Sequence, residues 1–268
     1  MFILLLISIV SGFHLTAILR NDTTLTYAML ELKENVQVKF VTDLSNYNLC
    51  NSAYKVGQLV FLVMFDLYNV YNDTFLILGN YGKIHQRYQL NTTLSEIRLD
   101  YKVFVGVTNT EIVLFDPIKR TVVNKHGLPN GLIQGSAYNG NVYYLGVECY
   151  IHAYNTINFK KVIYGPICNG GEIIESFIYV GDGILVFIND VIENHIRLDY
   201  LEFNNKVVTL ITYEGFSAVS EIYKVGDLLY NGMIHEGKSY LVETNILTRT
   251  YESYLMPHNL LPYYFWGL

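Results

Sequence analysis

The sequence predicts an all-β fold: a six-bladed β-propeller made of five full repeats of about 42 residues, plus one blade closed by both chain ends. Three observations lead there. A short pattern, a serine soon followed by Gly or Asp and then an apolar run, recurs five times at nearly one period. Each period holds four short β-type runs bounded by Gly, Asn, Asp or Pro. No stretch carries a sustained 3.6-residue apolar period with caps at both ends, so no helix is expected. A five-bladed ring with the N-terminal segment packed outside it is the alternative.

Composition narrows the class before any motif is read. The chain has 268 residues, 51% hydrophobic and 16% charged, with a net charge of −6. So much apolar content with so little charge is the opposite of a disordered chain. An acidic protein without a basic run cannot neutralise a phosphate backbone, so nucleic acid is excluded as a partner. With 24 Tyr, 14 Phe and a single Trp, the aromatic content favours strands.

The first element is an address. Positions 2–10, FILLLISIV, are an unbroken apolar run ending at Ser11-Gly12. That is too short for a membrane span of about 20 residues but fits the core of a secretory signal. Residues 1–17 are therefore read as a leader, cleaved after Gly12 or after Ala17, and 18–268 as one domain. No later run reaches the length of a membrane span, so a secreted product is expected. Three Asn-x-Thr sequons, at Asn21, Asn72 and Asn91, agree with that route as glycosylation sites.

The repeats follow in order. Ser52 to Gly57 (SAYKVG) precedes QLVFLV, Ser95 to Asp100 (SEIRLD) precedes YKVFVGV, and Ser136 to Gly140 (SAYNG) precedes NVYYLGV. Ser176 to Gly181 (SFIYVG) precedes DGILVFI, and Ser220 to Gly226 (SEIYKVG) precedes DLLYNGM. Residues 25–42, LTYAMLELKENVQVKFVT, parallel His195–Tyr213 and read as the last two strands of a repeat, with 13–20 as the strand before them. The chain end, Leu260 to Trp266, has room for one strand. It should pair beside 13–20, or beside Leu25–Leu32, and so remove two open sheet edges. Six units of about 42 residues match the length left after the leader.

These repeats resemble those of the secreted β-propeller repeat proteins across nearly the whole chain after the leader. The resemblance is one of architecture. The Trp-Asp of WD repeats, the Tyr-Trp-Thr-Asp of lipoprotein-receptor propellers and the paired glycines of kelch repeats are all absent, so no catalytic or binding residue is carried over.

Chemistry is sparse. The repeated serines would open the innermost strands, where crowding at the axis admits only small residues. None has the Gly-x-Ser-x-Gly setting of a nucleophile. One acidic residue recurs per blade near the loop between second and third strands: Asp22, Asp66, Glu111, Glu148, Asp190 and Glu236. That loop and the blade-to-blade connection share a face. Carboxylates around one mouth can hold a cation or steer a basic partner. The histidines lack an HExxH or comparable ligand spacing.

Cys149 and Cys168 fall in two loops of that same face and are expected to bridge, leaving Cys50 as the odd thiol. On the same face, the third to fifth full repeats carry no sequon but do carry Glu148, Tyr150, Asp190, Glu193, His195, His235 and Glu236. This acidic, partly aromatic sector is the expected docking surface for a protein or small ligand of basic character. The leading reading is thus a secreted binding module.

A second reading is a calcium-dependent hydrolase of the lactonase or esterase kind, which six-bladed propellers include. It would use oxygens near the axis from Glu96, Glu175, Glu221, Asn51 and Gln134, with calcium as cofactor. No catalytic dyad stands out in spacing. A third, a structural secreted protein, rests on the tyrosine content alone.

Overall fold

In the computed structural model the described residues are 13–267, apart from 21–24, 33–35, 48, 57, 66–73, 80–81, 90–95, 101–102, 109–110, 117–118, 120, 129–132 and 159. The strands run in chain order. First come β1 (Phe13–Arg20), β2 (Leu25–Leu32) and β3 (Val36–Asp43). Blade 1 comprises β4 (Leu49–Val56), β5 (Leu59–Phe65), β6 (Thr74–Leu78) and β7 (Ile84–Gln89). Blade 2 comprises β8 (Glu96–Asp100), β9 (Val103–Val107), β10 (Glu111–Asp116) and β11 (Thr121–Gly127). Blade 3 holds β12 (Ile133–Tyr138), β13 (Val142–Val147), β14 (Tyr150–Asn155) and β15 (Lys161–Tyr164). Blade 4 holds β16 (Glu172–Tyr179), β17 (Gly183–Asp190), β18 (His195–Glu202) and β19 (Val207–Glu214).

Blade 5 departs from the pattern. Its innermost strand is split into β20 (Phe216–Val219) and β21 (Tyr223–Val225), both paired with β22 (Leu228–His235), which β23 (Lys238–Asn245) and β24 (Thr250–Leu255) follow. The last strand, β25 (Leu261–Gly267), returns to the start of the chain and heads a sheet in the order β25-β1-β2-β3. Its register runs from Leu15 opposite Gly267 to Arg20 opposite Leu261. The expected closure is therefore present: the innermost strand comes from the C-terminus and the other three from the N-terminus. Neighbouring strands in all six sheets are antiparallel meanders.

Burial follows from blades packing face to face. A second strand lies inside its sheet with a neighbouring blade on each side, so β17 is buried at six successive residues, Gly183–Ile188. That explains why second strands read as continuous apolar runs rather than alternating ones. Fourth strands sit at the rim, and all of Thr250–Tyr254 but Tyr254 is exposed in β24. Apolar clusters fill the gaps between blades. Leu15, Leu19 and Leu30 pack against Tyr230, Leu241 and Met256 of blade 5. Ile18, Leu25 and Tyr27 pack against Val60, Leu62 and Leu76 of blade 1. The terminal sheet is thus gripped on both sides, each buried Leu or Ile contributing about 1.5–3 kcal/mol.

The repeated serines mark irregularities in the inner strands. The pairing register shifts between Cys50 and Ser52, Ile133 and Ser136, and Ile174 and Ser176. Ser136, Ser176 and Ser220 are buried, as small residues at a crowded axis should be. Ser176 Oγ joins blades 4 and 5 by donating to the Ser220 carbonyl at 3.1 Å, and within blade 5 Ser220 Oγ accepts from the Gly232 N–H at 2.6 Å. The side chains of Ser52 and Ser95 lie outside the described residues.

Candidate functional site

Alternating strand direction puts the loop after each second strand and the connection between blades on one face. The disulfide verifies this at blade 3. Cys149, in the turn between β13 and β14, bridges Cys168, in the connection from β15 to β16, with Cα atoms 5.2 Å apart. Cys50, buried in β4, stays outside the bridge.

The connection is held by more than sulfur. The Ile167 N–H donates to the Cys149 carbonyl at 2.9 Å. Asn169 N–H donates to Glu172 Oε2 at 2.6 Å, and Glu172 in turn takes the Arg197 guanidinium through both of its oxygens. Arg197 Nε donates to Asp199 Oδ2 at 2.7 Å. All three side chains are largely buried, with Asp199 only 2% and Glu172 6% exposed. The Arg197 hydrogen bond, aided by the Asn169 N–H, holds the Glu172 carboxyl below its ordinary 4.5. One arginine inside blade 4 therefore anchors the loop that carries the disulfide. Sequence reasoning missed this cluster, although Arg197 and Asp199, opposite charges two residues apart and so on one face of a strand, were the available signal.

Beside it lies the turn between β17 and β18. Asp190 Oδ1 accepts the N–H groups of Ile192 and Glu193 at 3.0 and 2.9 Å, and the Glu193 bond leads in lowering the Asp190 carboxyl below its ordinary range. His195 pairs directly across from Asp190, and its Nδ1 lies 3.7 Å from Glu193 Oε2. Ligand atoms of Asp190, Glu193 and His195 fall within 4.8 Å of one another, the one such group among the described residues. A donor set of one imidazole and two carboxylates is not the all-oxygen shell that calcium takes. Between these side chains the tip residues Val191 and Ile192 are 63% and 77% exposed. Gly171 (φ +92) permits that approach, since a Cβ there would fall on Ile192 Cδ1.

The remaining residues expected in this sector are on the face but apart. Glu148 and Glu236 occupy tight turns at positive φ and are exposed. His235 is committed to structure: its Nδ1 meets the Gly215 carbonyl at 2.8 Å and its ring packs on Phe216 at 4.9 Å. Tyr150 follows the disulfide turn and is 37% exposed. Glu111 begins β10 and pairs with Lys125 at 2.8 Å. Asp22, Asp66, Asn21, Asn72 and Asn91 lie outside the described residues. Near the axis, Glu175 accepts from Asn189 Nδ2 at 2.7 Å, and Gln134 Oε1 is buried without a partner. Neither Glu175 nor Glu221 joins a group of three metal-type donors among the described residues.

No protein-family model matches the sequence, and no curated protein matches it. Solved structures do match in shape. A chain of the nidogen/laminin complex aligns over 95% of this chain and 97% of its own length, at 11% identity and a TM-score of 0.70. TolB from Acinetobacter baumannii aligns over 93% of this chain but 63% of its own, at 14% identity and a TM-score of 0.65. The Pan2 WD40 domain of Neurospora crassa aligns over 86% and 88%, at 10% identity and a TM-score of 0.51. At such identities the likeness is one of fold: the chain is a β-propeller.

Proposed function

We propose that this chain is a secreted, N-glycosylated interaction module that docks a basic partner on the disulfide face of blades 3–5. The carrying observation is the turn between β17 and β18, where the exposed Val191 and Ile192 sit between the carboxylates of Asp190 and Glu193, with the exposed Tyr150, Glu148 and Glu236 on neighbouring turns of the same face. Apolar tips supply contact area, and a ring of one charge sign steers an oppositely charged partner. The disulfide fits an oxidising compartment, as the leader and sequons do. A protein-binding role also agrees with the nidogen/laminin complex among the similar structures, itself an assembly of two proteins.

Asp190 shapes its own turn, so the sector is best tested at Glu193 and Glu236. Octa-lysine serves as the basic probe. Glu193→Lys with Glu236→Lys should weaken its binding by about tenfold, and raising salt should weaken binding to the unaltered protein. Asp227→Lys, in the turn between β21 and β22 on the opposite face, should leave affinity within about twofold. Equal losses from the two reversals would overturn the assignment of the docking sector.

A further inference from the structure

Open sheet edges invite further strands, and the fourth strands show how this ring manages them. Each fourth strand ends its sheet, so one side of its backbone has no neighbouring strand. In β3, β7, β11 and β19 the pairing register with the third strand shifts, and such bulges twist an edge away from an incoming strand. The first three also carry a cation, Lys39, Arg87 and Lys125. Strand β15 pairs without a shift, but it has four residues and begins with Lys161.

Strand β24 has neither device. It pairs with β23 without a shift, from Tyr240 opposite Leu255 to Asn245 opposite Thr250. Its sequence, TYESYL, holds no Lys, Arg or Pro, and five of its six residues are exposed. The hydrogen-bond phase fixes which backbone groups are open. Met256 N–H donates to the Ser239 carbonyl at 2.9 Å, so Tyr254, Glu252 and Thr250, in step with it, aim their backbone groups at β23. Tyr251, Ser253 and Leu255 therefore aim theirs outward, past the end of the sheet. Their side chains share one face, on which Tyr251 and Leu255 are 37% and 53% exposed. The Tyr251 ring is braced there by Tyr213, 4.8 Å away.

We infer that β24 pairs antiparallel with β24 of a second copy of this chain, about a two-fold axis at Ser253, joining two blade-5 sheets into one. In that register the outward-facing residues meet one another. Ser253 faces its own counterpart, and Tyr251 faces Leu255 of the partner subunit. Each such pair exchanges two N–H···O bonds, and an aromatic ring packs on an aliphatic side chain. Glu252 then faces Tyr254 of the partner subunit. Centring on Glu252 would instead set two carboxylates directly opposite each other and leave Leu255 beyond the ladder. Centring on Tyr254 would set Tyr251 against Pro257 of the partner subunit, which has no N–H to give. The sequence of the edge thus suits one self-pairing. Each copy uses its single unguarded edge, so the assembly closes as a dimer.

Sedimentation of the full chain should show a dimer at about 100 μM that dissociates on dilution. Raising salt, which should weaken octa-lysine docking, should leave the dimer intact, because its bonds join backbone groups. Ser253→Pro removes an outward N–H that β23 does not use, and should weaken dimerisation by at least about tenfold. Leu255→Lys gives β24 the kind of cation that guards other edges and should act similarly without altering the backbone. Thr212→Lys, exposed on β19, should leave the dimer unchanged. In the dimer the amides of Tyr251, Ser253 and Leu255 should exchange more slowly than in the monomer, while those of Glu252 and Tyr254 change little. A chain that stays monomeric at that concentration overturns the inference. So does growth beyond a dimer, or a dimer that salt dissociates or that Leu255→Lys leaves equally tight.

Discussion

Arg197 ties blade 4 to the connection before it. It lies between two buried carboxylates and beneath the connection that carries Cys168. Removing one partner of a buried pair leaves an uncompensated charge, which costs about 3–5 kcal/mol. Arg197→Met should therefore lower stability by that amount in denaturant titrations. Acid should act on the same cluster. Because Arg197 holds Glu172 below 4.5, the stabilisation from Glu172 is complete above about pH 4.5 and is withdrawn as pH falls through its lower folded value. The unfolding midpoint should drop as pH falls below about 4.5, and Glu172→Gln should flatten that drop. A Glu172→Gln protein with an undiminished acid dependence would show that other carboxylates govern it.

At the scale of elements, the glycines in second strands report how closely backbones approach. A Cβ on Gly232 in β22 would fall on the Pro262 carbonyl oxygen of the closing strand in the neighbouring blade, and one on Gly146 in β13 on the Gln134 carbonyl of the adjacent strand β12 in the same blade. Both obstacles are backbone, so neither can rotate away. Gly232→Ala should push β25 off blade 5 and lower the melting temperature by several degrees. The same substitution at Gly140, where nothing lies within 4 Å of a Cβ but φ is +93, should cost less. Melting temperatures ranked the other way would mean that backbone strain, not blade contact, dominates.

Most elements were legible because each is repeated: a strand misjudged in one period is corrected by four others. The disulfide was legible because strand alternation alone decides which loops share a face. The interruption of the inner strand at Ser220–Ile222 was not, because SEIYKVG exceeds SAYKVG by one residue, and one residue alone does not say whether a strand bulges or breaks. The Arg197 cluster depends on the register between β16 and β18, and the open edge of β24 on how it pairs with β23, neither of which a single repeat encodes.

At the scale of the whole molecule, the chain ends decide whether a ring exists. Strand β1 bears on the proposed leader as well. Cleavage after Ala17 would remove the first half of β1, including Leu15 and Ala17, both fully buried, whereas cleavage after Gly12 leaves the strand whole. For the proposed secreted form, N-terminal sequencing should begin at Phe13; a start at Ile18 would mean that β1 is shorter than described. The closed ring also positions the docking sector, because the terminal sheet wedges between blades 5 and 1. Hydrogen exchange tests that closure most directly. Amides of 13–20 and 261–267 should be protected together, and deleting residues 260–268 should release 13–20 while sparing β17. Exchange of 261–267 at the rate of an unpaired segment, with 13–20 still protected, would contradict a blade shared by both ends of the chain.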